Sequence, residues 1–133
     1  MPDSLDAPAD EWLSYAERDL KVARIGVDAT DLADLAAFHA QQAIEKCLKA
    51  MCVFKRVPFE KTHDLGYLLR LVRSFDPAFA ERWSEAKLVT EYAIAGRYPL
   101  DVGPYAVPPA RAVQLAAEVL EAARQWLGDQ PER

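Results

Sequence analysis

Apolar positions recur along this chain at intervals of three and four residues, a spacing typical of amphipathic helices. The first helical pattern runs from Asp10 to Gly26, and glycine suits the position where a helix ends. The second runs from Leu32 to Phe54 and is the longest, and Pro58 prevents its continuation. No segment alternates between apolar and polar residues for long enough to predict a β-strand.

Two shorter helices are predicted in the middle of the chain. Thr62 or Asp64 can cap the third helix, whose apolar positions follow at helical spacing. Asp76 followed by Pro77 is typical of an N-cap residue and a first helical position. The fourth helix is expected to present one apolar face, formed by Phe79, Trp83, Ala86 and Ala93.

The helical period stops before the last helix. From Gly96 to Pro108, prolines and glycines interrupt it. The last helix is predicted to start near Pro109 and to end at Gly128. The pattern therefore predicts an all-α, mostly antiparallel bundle of about five helices, with a proline-rich loop before the last one.

Length and composition are those of one globular domain. A hydrophobic fraction of 51% is enough for a core. A length of 133 residues leaves no room for a second domain. We assign residues 1–9 to a flexible lead-in, residues 10–128 to the helical domain and residues 129–133 to a tail. Neither a leader sequence nor an apolar run long enough to span a membrane is recognisable, so a cytoplasmic protein is expected.

Charge is distributed unevenly along the chain. The net charge is −5, which disfavours general binding to RNA or DNA. Residues 1–34 hold nine acidic residues against far fewer basic ones, whereas residues 46–61 hold five basic residues and one acidic residue. This second stretch, the basic segment, either forms a binding surface or carries long basic side chains on a solvated face.

A polar stripe is predicted on the second helix. His39, Gln42, Lys46 and Lys49 fall within about 80° of arc, opposite the apolar side of that helix. If the stripe faces solvent, it can receive an anion or the acidic surface of a partner, although His39 is explained equally well as a surface or interface residue. Glu45 is interpreted as an ordinary solvated charge.

His63 and the two cysteines have simpler explanations. His63, in Thr-His-Asp-Leu at a helix start, either fixes the loop through a hydrogen bond or contributes to a ligand site. Cys47 and Cys52 are predicted to be reduced thiols in or near the core. Two thiols without further ligands do not make a zinc site, so no metal site is expected.

Three motifs together resemble those of the HEPN family of small bacterial and archaeal helical domains. They are the run FHAQQAIEKCLKA at 38–50, the run KTHDLGYLL at 61–69 and GRYP at 96–99. The resemblance extends from Trp12 to about Leu127. It implies the same helical bundle, and it implies a homodimer, because HEPN-like domains commonly pair.

Many HEPN members are ribonucleases that need no metal, so the resemblance raises the question of that activity. Their motif is an arginine followed after four to six residues by a histidine, which activates or protonates an RNA hydroxyl. The corresponding arginine is Arg97, but the chain has no histidine after His63. Arg56 and His63 match the spacing in the wrong place, which we attribute to chance. We therefore assign no catalytic residue.

The loop that carries Arg97 and Tyr98 has two interpretations. It is either a rigid turn, with Tyr98 packed on the core and Arg97 paired with an acid, or a surface that touches phosphate or a partner. The candidate ligand-binding residues are accordingly His39, Gln42, Lys46, Lys49, His63, Arg97 and Tyr98.

The sequence favours a non-catalytic HEPN-like module that binds a nucleotide such as ATP or GTP, a partner protein, or both. The resemblance implies that the partner is a separate minimal nucleotidyltransferase, in a toxin–antitoxin-type pair, since the chain is too short to contain that enzyme. No other cofactor is expected, and RNA is not the expected ligand. Two alternatives are a ribonuclease toxin with an unconventional base and a purely structural dimerisation module.

Overall fold

The computed structural model describes residues 7–95 and 105–131, and throughout these ranges all regular structure is helical. No helix within these two ranges is both long and apolar enough to cross a membrane. The α-helices are α1 (Ala9–Gly26), α2 (Ala33–Phe54), α3 (Leu65–Arg73), α4 (Pro77–Arg82), α5 (Tyr92–Ala95) and α6 (Pro109–Gly128), with a 3₁₀ segment at Ser84–Glu91 between α4 and α5. The all-α prediction is confirmed.

Helix α2 is the centre of the bundle. It forms a hairpin with α1 and also packs against α3, α5, α6 and the 3₁₀ segment. Alanines at its contact positions, among them Ala37, Ala40 and Ala43, are fully buried and let neighbouring helices approach closely. A helix with neighbours on every side has no solvated face along its middle, and this determines what its polar residues can do.

The predicted starts of α3 and α4 are confirmed, and each has a capping side chain in place. Asp64 caps α3 by accepting a hydrogen bond from the backbone N–H of Tyr67 at 3.2 Å. Asp76 caps α4 in the same way, accepting from the N–H of Phe79 at 3.0 Å, and Pro77 occupies the first helical position. Both caps fix the direction in which a short helix leaves its loop.

The fourth predicted helix is not one continuous α-helix. It ends at Arg82, and the chain continues as the 3₁₀ segment before the single turn of α5. The buried side chains here follow at intervals of three, which matches the three residues per turn of a 3₁₀ helix rather than the 3.6 of an α-helix. They are Trp83, Ala86, Val89 and Tyr92.

The end of the proline-rich loop is fastened to the start of α5. The hydroxyl of Tyr92 donates to the carbonyl of Val107 at 2.7 Å, and the rings of Tyr92 and Tyr105 lie 4.4 Å apart. The carboxylate of Glu91 accepts from the N–H of Ala106 at 2.7 Å. Residues 96–104 lie outside the described ranges, and α6 begins at Pro109 as predicted.

Candidate functional site

The polar stripe on α2 is not exposed, contrary to the expectation from its spacing. Gln42, Lys46 and Lys49 are all buried, and His39 is only partly accessible. Periodicity places these residues opposite the most apolar positions, but α2 is enclosed by other helices on that side too. The stripe therefore lies within the packing of the bundle rather than on a free surface.

Asp19, on α1, is the carboxylate partner of two stripe residues, His39 and Lys46. Its two carboxylate oxygens accept hydrogen bonds from Lys46 Nζ and, at 3.0 Å, from His39 Nδ1. Burial raises the pKa of Asp19, but the hydrogen bonds from His39 and Lys46 outweigh burial and hold that pKa below its ordinary value. Asp19 thus stays ionised and compensates the buried ammonium of Lys46.

Glu45 is the carboxylate partner of Lys49, so its interpretation as a solvated charge is wrong. It is 1% exposed. Lys49 Nζ donates to Glu45 Oε2 at 2.8 Å, and His63 Nδ1 lies 2.8 Å from Glu45 Oε1. The Lys49 ammonium also lies over the rings of Trp12 and Phe59, at 5.7 and 5.5 Å from their centroids. Its charge is therefore compensated on two sides.

Two glutamines extend the Glu45 cluster to the loop before α3. Gln41 Nε2 donates to the carbonyl oxygen of His63 at 2.9 Å and lies 3.3 Å from Glu45 Oε1. Gln42 Nε2 donates to Gln41 Oε1 at 2.7 Å. His63 is held through both its ring and its backbone, so the hydrogen bonds that fix this loop are present, although its side chain remains 44% exposed.

Arg97 and Tyr98, the remaining candidates, lie outside the described residues. Asp19, Gln41 and Glu45, which complete the two clusters, are not among the residues predicted from the sequence to form the site. A signal for Asp19 was present, because it falls within the buried arc of α1, between Trp12 and Gly26 in angular position. A carboxylate in that arc requires a buried cationic partner.

The part of the basic segment that follows α2 differs from the stripe. Lys55 and Arg56 follow the last turn of α2, and both are exposed. Within the described parts of the chain, neither has an acidic side chain within ion-pair distance. Arg56 has a φ of 58°, in the left-handed region that favours glycine. The N–H of Val57 bonds to the carbonyl of Cys52 at 2.9 Å, which completes a glycine-type helix stop around Arg56.

The cysteines belong to the core. Cys47 and Cys52 are free and fully buried, as predicted for core thiols. Burial raises the pKa of Cys47 strongly and that of Cys52 to about 12, so both are protonated thiols at neutral pH. The described residues contain no group of three or more histidine, cysteine, aspartate or glutamate side chains arranged to hold a metal ion.

Comparison with known proteins identifies the family. The HEPN domain family model matches residues 9–127 of the 133-residue chain. Since that match covers most of the sequence, the chain belongs to the HEPN domain family. None of the curated proteins matches it.

Two solved structures share the fold over nearly their whole length. An archaeal HEPN homologue, ST0689, gives a TM-score of 0.65 at 23% identity, covering 90% of this chain and 98% of its own. The protein TT1696 from Thermus thermophilus gives a TM-score of 0.64 at 31% identity, covering 88% of this chain and 96% of its own. At its level of identity, the archaeal homologue supports the fold alone.

Proposed function

We propose that this HEPN domain is a non-catalytic module that binds a nucleotide such as ATP or GTP and acts together with a separate minimal nucleotidyltransferase. The observation that supports its non-catalytic part is the position of both histidines, which precede Arg97 in the sequence. His39 and His63 each place Nδ1 against a carboxylate, that of Asp19 or of Glu45. No third histidine exists in the sequence.

The position of the histidines argues against the ribonuclease alternative. RNA cleavage by an arginine–histidine pair needs an imidazole that can approach the ribose hydroxyl while arginine stabilises the charge on phosphorus. The imidazole should follow Arg97, and no histidine does so. A binding role requires no imidazole after Arg97.

Nucleotide binding is consistent with where uncompensated positive charge lies. Lys46 and Lys49 already have carboxylate partners, so a phosphate at the stripe would have to compete with Asp19 or Glu45. Lys55 is exposed and has no such partner among the described residues. We therefore expect nucleotide phosphates to bind at exposed bases rather than at the ammonium groups within the bundle.

The proposed assembly includes a homodimer and a role in a toxin–antitoxin-type pair, in which the nucleotidyltransferase supplies any transfer chemistry. Light scattering on the purified protein tests the first of these. A mass of about twice the 14.9 kDa of the chain is expected, and a monomer across the accessible concentration range would contradict it. Such a monomer would leave the proposal of nucleotide binding untouched.

The experiment for the proposed function is calorimetric titration of the protein with ATP and with GTP, with and without magnesium, alongside incubation with RNA. Saturable binding of at least one nucleotide and intact RNA are expected. Absence of binding to both nucleotides would overturn the binding role. RNA cleavage that disappears on Arg97→Ala would overturn the non-catalytic role, whereas cleavage that survives this change would indicate a contaminating nuclease.

A further inference from the structure

A cleft of about 760 Å³ lies at the end of the bundle where α1 begins and where α2 and α6 end. Its volume is in the range of sites that hold small organic ligands, about 300–1,000 Å³. Lys55 and Arg56 line it, next to Val53 and Phe54 from the last turn of α2. Apolar surface and cationic groups therefore meet in one concave region.

The charge of this cleft is suited to an anion. Among the described residues, the lining contains one acidic residue, Asp10, and two basic residues, Lys55 and Arg56. Guanidinium and ammonium groups in adjacent positions can contact successive phosphates, with the guanidinium binding bidentately. Neither base is engaged by a described acid, which distinguishes this pair from Lys46 and Lys49.

Arg56 occupies its position at an energetic cost. A left-handed conformation costs a residue with a Cβ about 1–2 kcal/mol relative to the right-handed region, and glycine avoids that cost. The helix stop around Arg56 has the hydrogen bonds of a glycine-type stop. These backbone hydrogen bonds do not involve the Arg56 side chain, which contributes to the lining of the cleft.

Phe54 gives the cleft an aromatic wall. It is partly buried, and its ring meets Trp126 of α6 edge to face, with centroids 5.7 Å apart. An aromatic ring held in this way can pack against a planar base, while the neighbouring cations hold the phosphates.

We infer that this cleft binds a nucleotide polyphosphate, with Lys55 and Arg56 contacting the phosphates and Phe54 contacting the base. The inference rests on the proposed function and gives it a location, away from the stripe on α2. It also separates binding from stability, because the residues that bind are not those that neutralise the interior of the bundle.

The experiment is calorimetric titration of ATP into the wild type, Arg56→Gly and Lys55→Ala. Inorganic pyrophosphate and adenosine serve as probes of the phosphate and base contributions. Arg24→Ala and Lys21→Ala are matched controls, because they remove exposed bases from α1 near the opposite end of the bundle. Glycine fits the left-handed position, so Arg56→Gly is expected to remain folded.

We expect Arg56→Gly to weaken ATP binding about tenfold or more, Lys55→Ala to weaken it less, and both controls to leave it unchanged. Pyrophosphate should bind more weakly than ATP with the same dependence on Arg56. If the wild type binds ATP and neither cleft variant alters the affinity, the location is wrong and the proposed function stands. If the wild type binds pyrophosphate with dependence on Arg56 but binds no nucleotide, the anion site stands and the nucleotide assignment falls. Binding of no phosphorylated probe overturns the cleft as a site.

Discussion

Two parts of the basic segment, one within α2 and one just after it, use the same kind of side chain in opposite ways. Lys46 and Lys49 lie inside the bundle, where Asp19 and Glu45 neutralise them. A few residues later, the bases that follow α2 are exposed at a cleft. Net charge along the sequence is therefore a poor guide to binding surfaces, since burial and partners decide which charges a ligand can reach.

The physical basis of this difference is the cost of removing charge from water. A buried ammonium is tolerated only with a close counter-charge and further hydrogen bonds. That requirement fixes the partner of each stripe lysine and leaves little capacity for a phosphate. An exposed base remains hydrated, contributes little to stability, and is free to exchange water for a ligand. Four substitutions test the contrast, from the largest expected effect on stability to the smallest.

Glu45→Gln should give the largest loss. It leaves the Lys49 ammonium buried without a carboxylate and weakens the attachment of His63 to α2. We expect the free energy of unfolding to fall by about 3–5 kcal/mol, measured by denaturant unfolding. Glu121→Gln is the matched control, since Glu121 is 76% exposed, and it should stay within about 0.5 kcal/mol of the wild type. Equal effects of the two changes would contradict a structural role for Glu45.

Asp19→Asn should have the second largest effect, about 2–3 kcal/mol, because Asp19 retains some access to solvent. It should also change the pH dependence of unfolding. The pKa of Asp19 is lower in the folded protein than the unfolded value of about 3.9. Its contribution to stability is thus complete above about pH 4 and is lost as the pH falls through the folded pKa.

Unfolding of both proteins at a series of pH values measures this contribution. The stability of the wild type should decline more steeply in acid than that of Asp19→Asn. If the unfolding free energies of the two proteins change with pH in parallel, protonation of Asp19 does not account for the loss of stability in acid.

Arg56→Gly should act in the opposite direction. Relief of the left-handed conformation favours the folded state, and the extra freedom of glycine in the unfolded chain offsets part of that gain. We expect a net increase of about 0.5–1 kcal/mol in unfolding free energy. A decrease would mean that the Arg56 side chain supports the fold, and the separation of binding from stability would then fail.

Lys55→Ala should have the smallest effect on stability, within about 0.5 kcal/mol of the wild type. Lys55 is exposed, and within the described residues it forms no ion pair. Thermal unfolding at equal protein concentration is sufficient to measure this. A loss comparable with that of Asp19→Asn would place Lys55 in the structural half of the basic segment.

Much of the fold could be predicted from the sequence because its helices are bounded by local signals. The caps Asp64 and Asp76, and the prolines at the starts of α4 and α6, act within a few residues of themselves. The 3₁₀ segment was missed because a spacing of three is also compatible with an α-helix over one turn. Only its repetition from Trp83 to Tyr92 distinguishes the two.

The candidate site was less predictable, since it depends on contacts between distant parts of the chain. The polar stripe was found, but its burial follows from how many helices surround α2, which periodicity does not report. Its partners come from other elements: Asp19 lies 27 residues from Lys46, and His63 lies 18 residues from Glu45. The left-handed conformation of Arg56 could not be predicted, because glycine is the residue expected at such a position.

The most direct test compares ATP binding to Arg56→Gly with ATP binding to the double variant Asp19→Asn/Lys46→Met. The double variant removes both members of the buried pair together, so no unpaired charge remains on either residue. We expect calorimetry to show binding close to that of the wild type for the double variant and binding weakened about tenfold or more for Arg56→Gly. The reverse result, with binding lost in the double variant and retained in Arg56→Gly, would place the nucleotide on the stripe of α2 and contradict binding at the cleft.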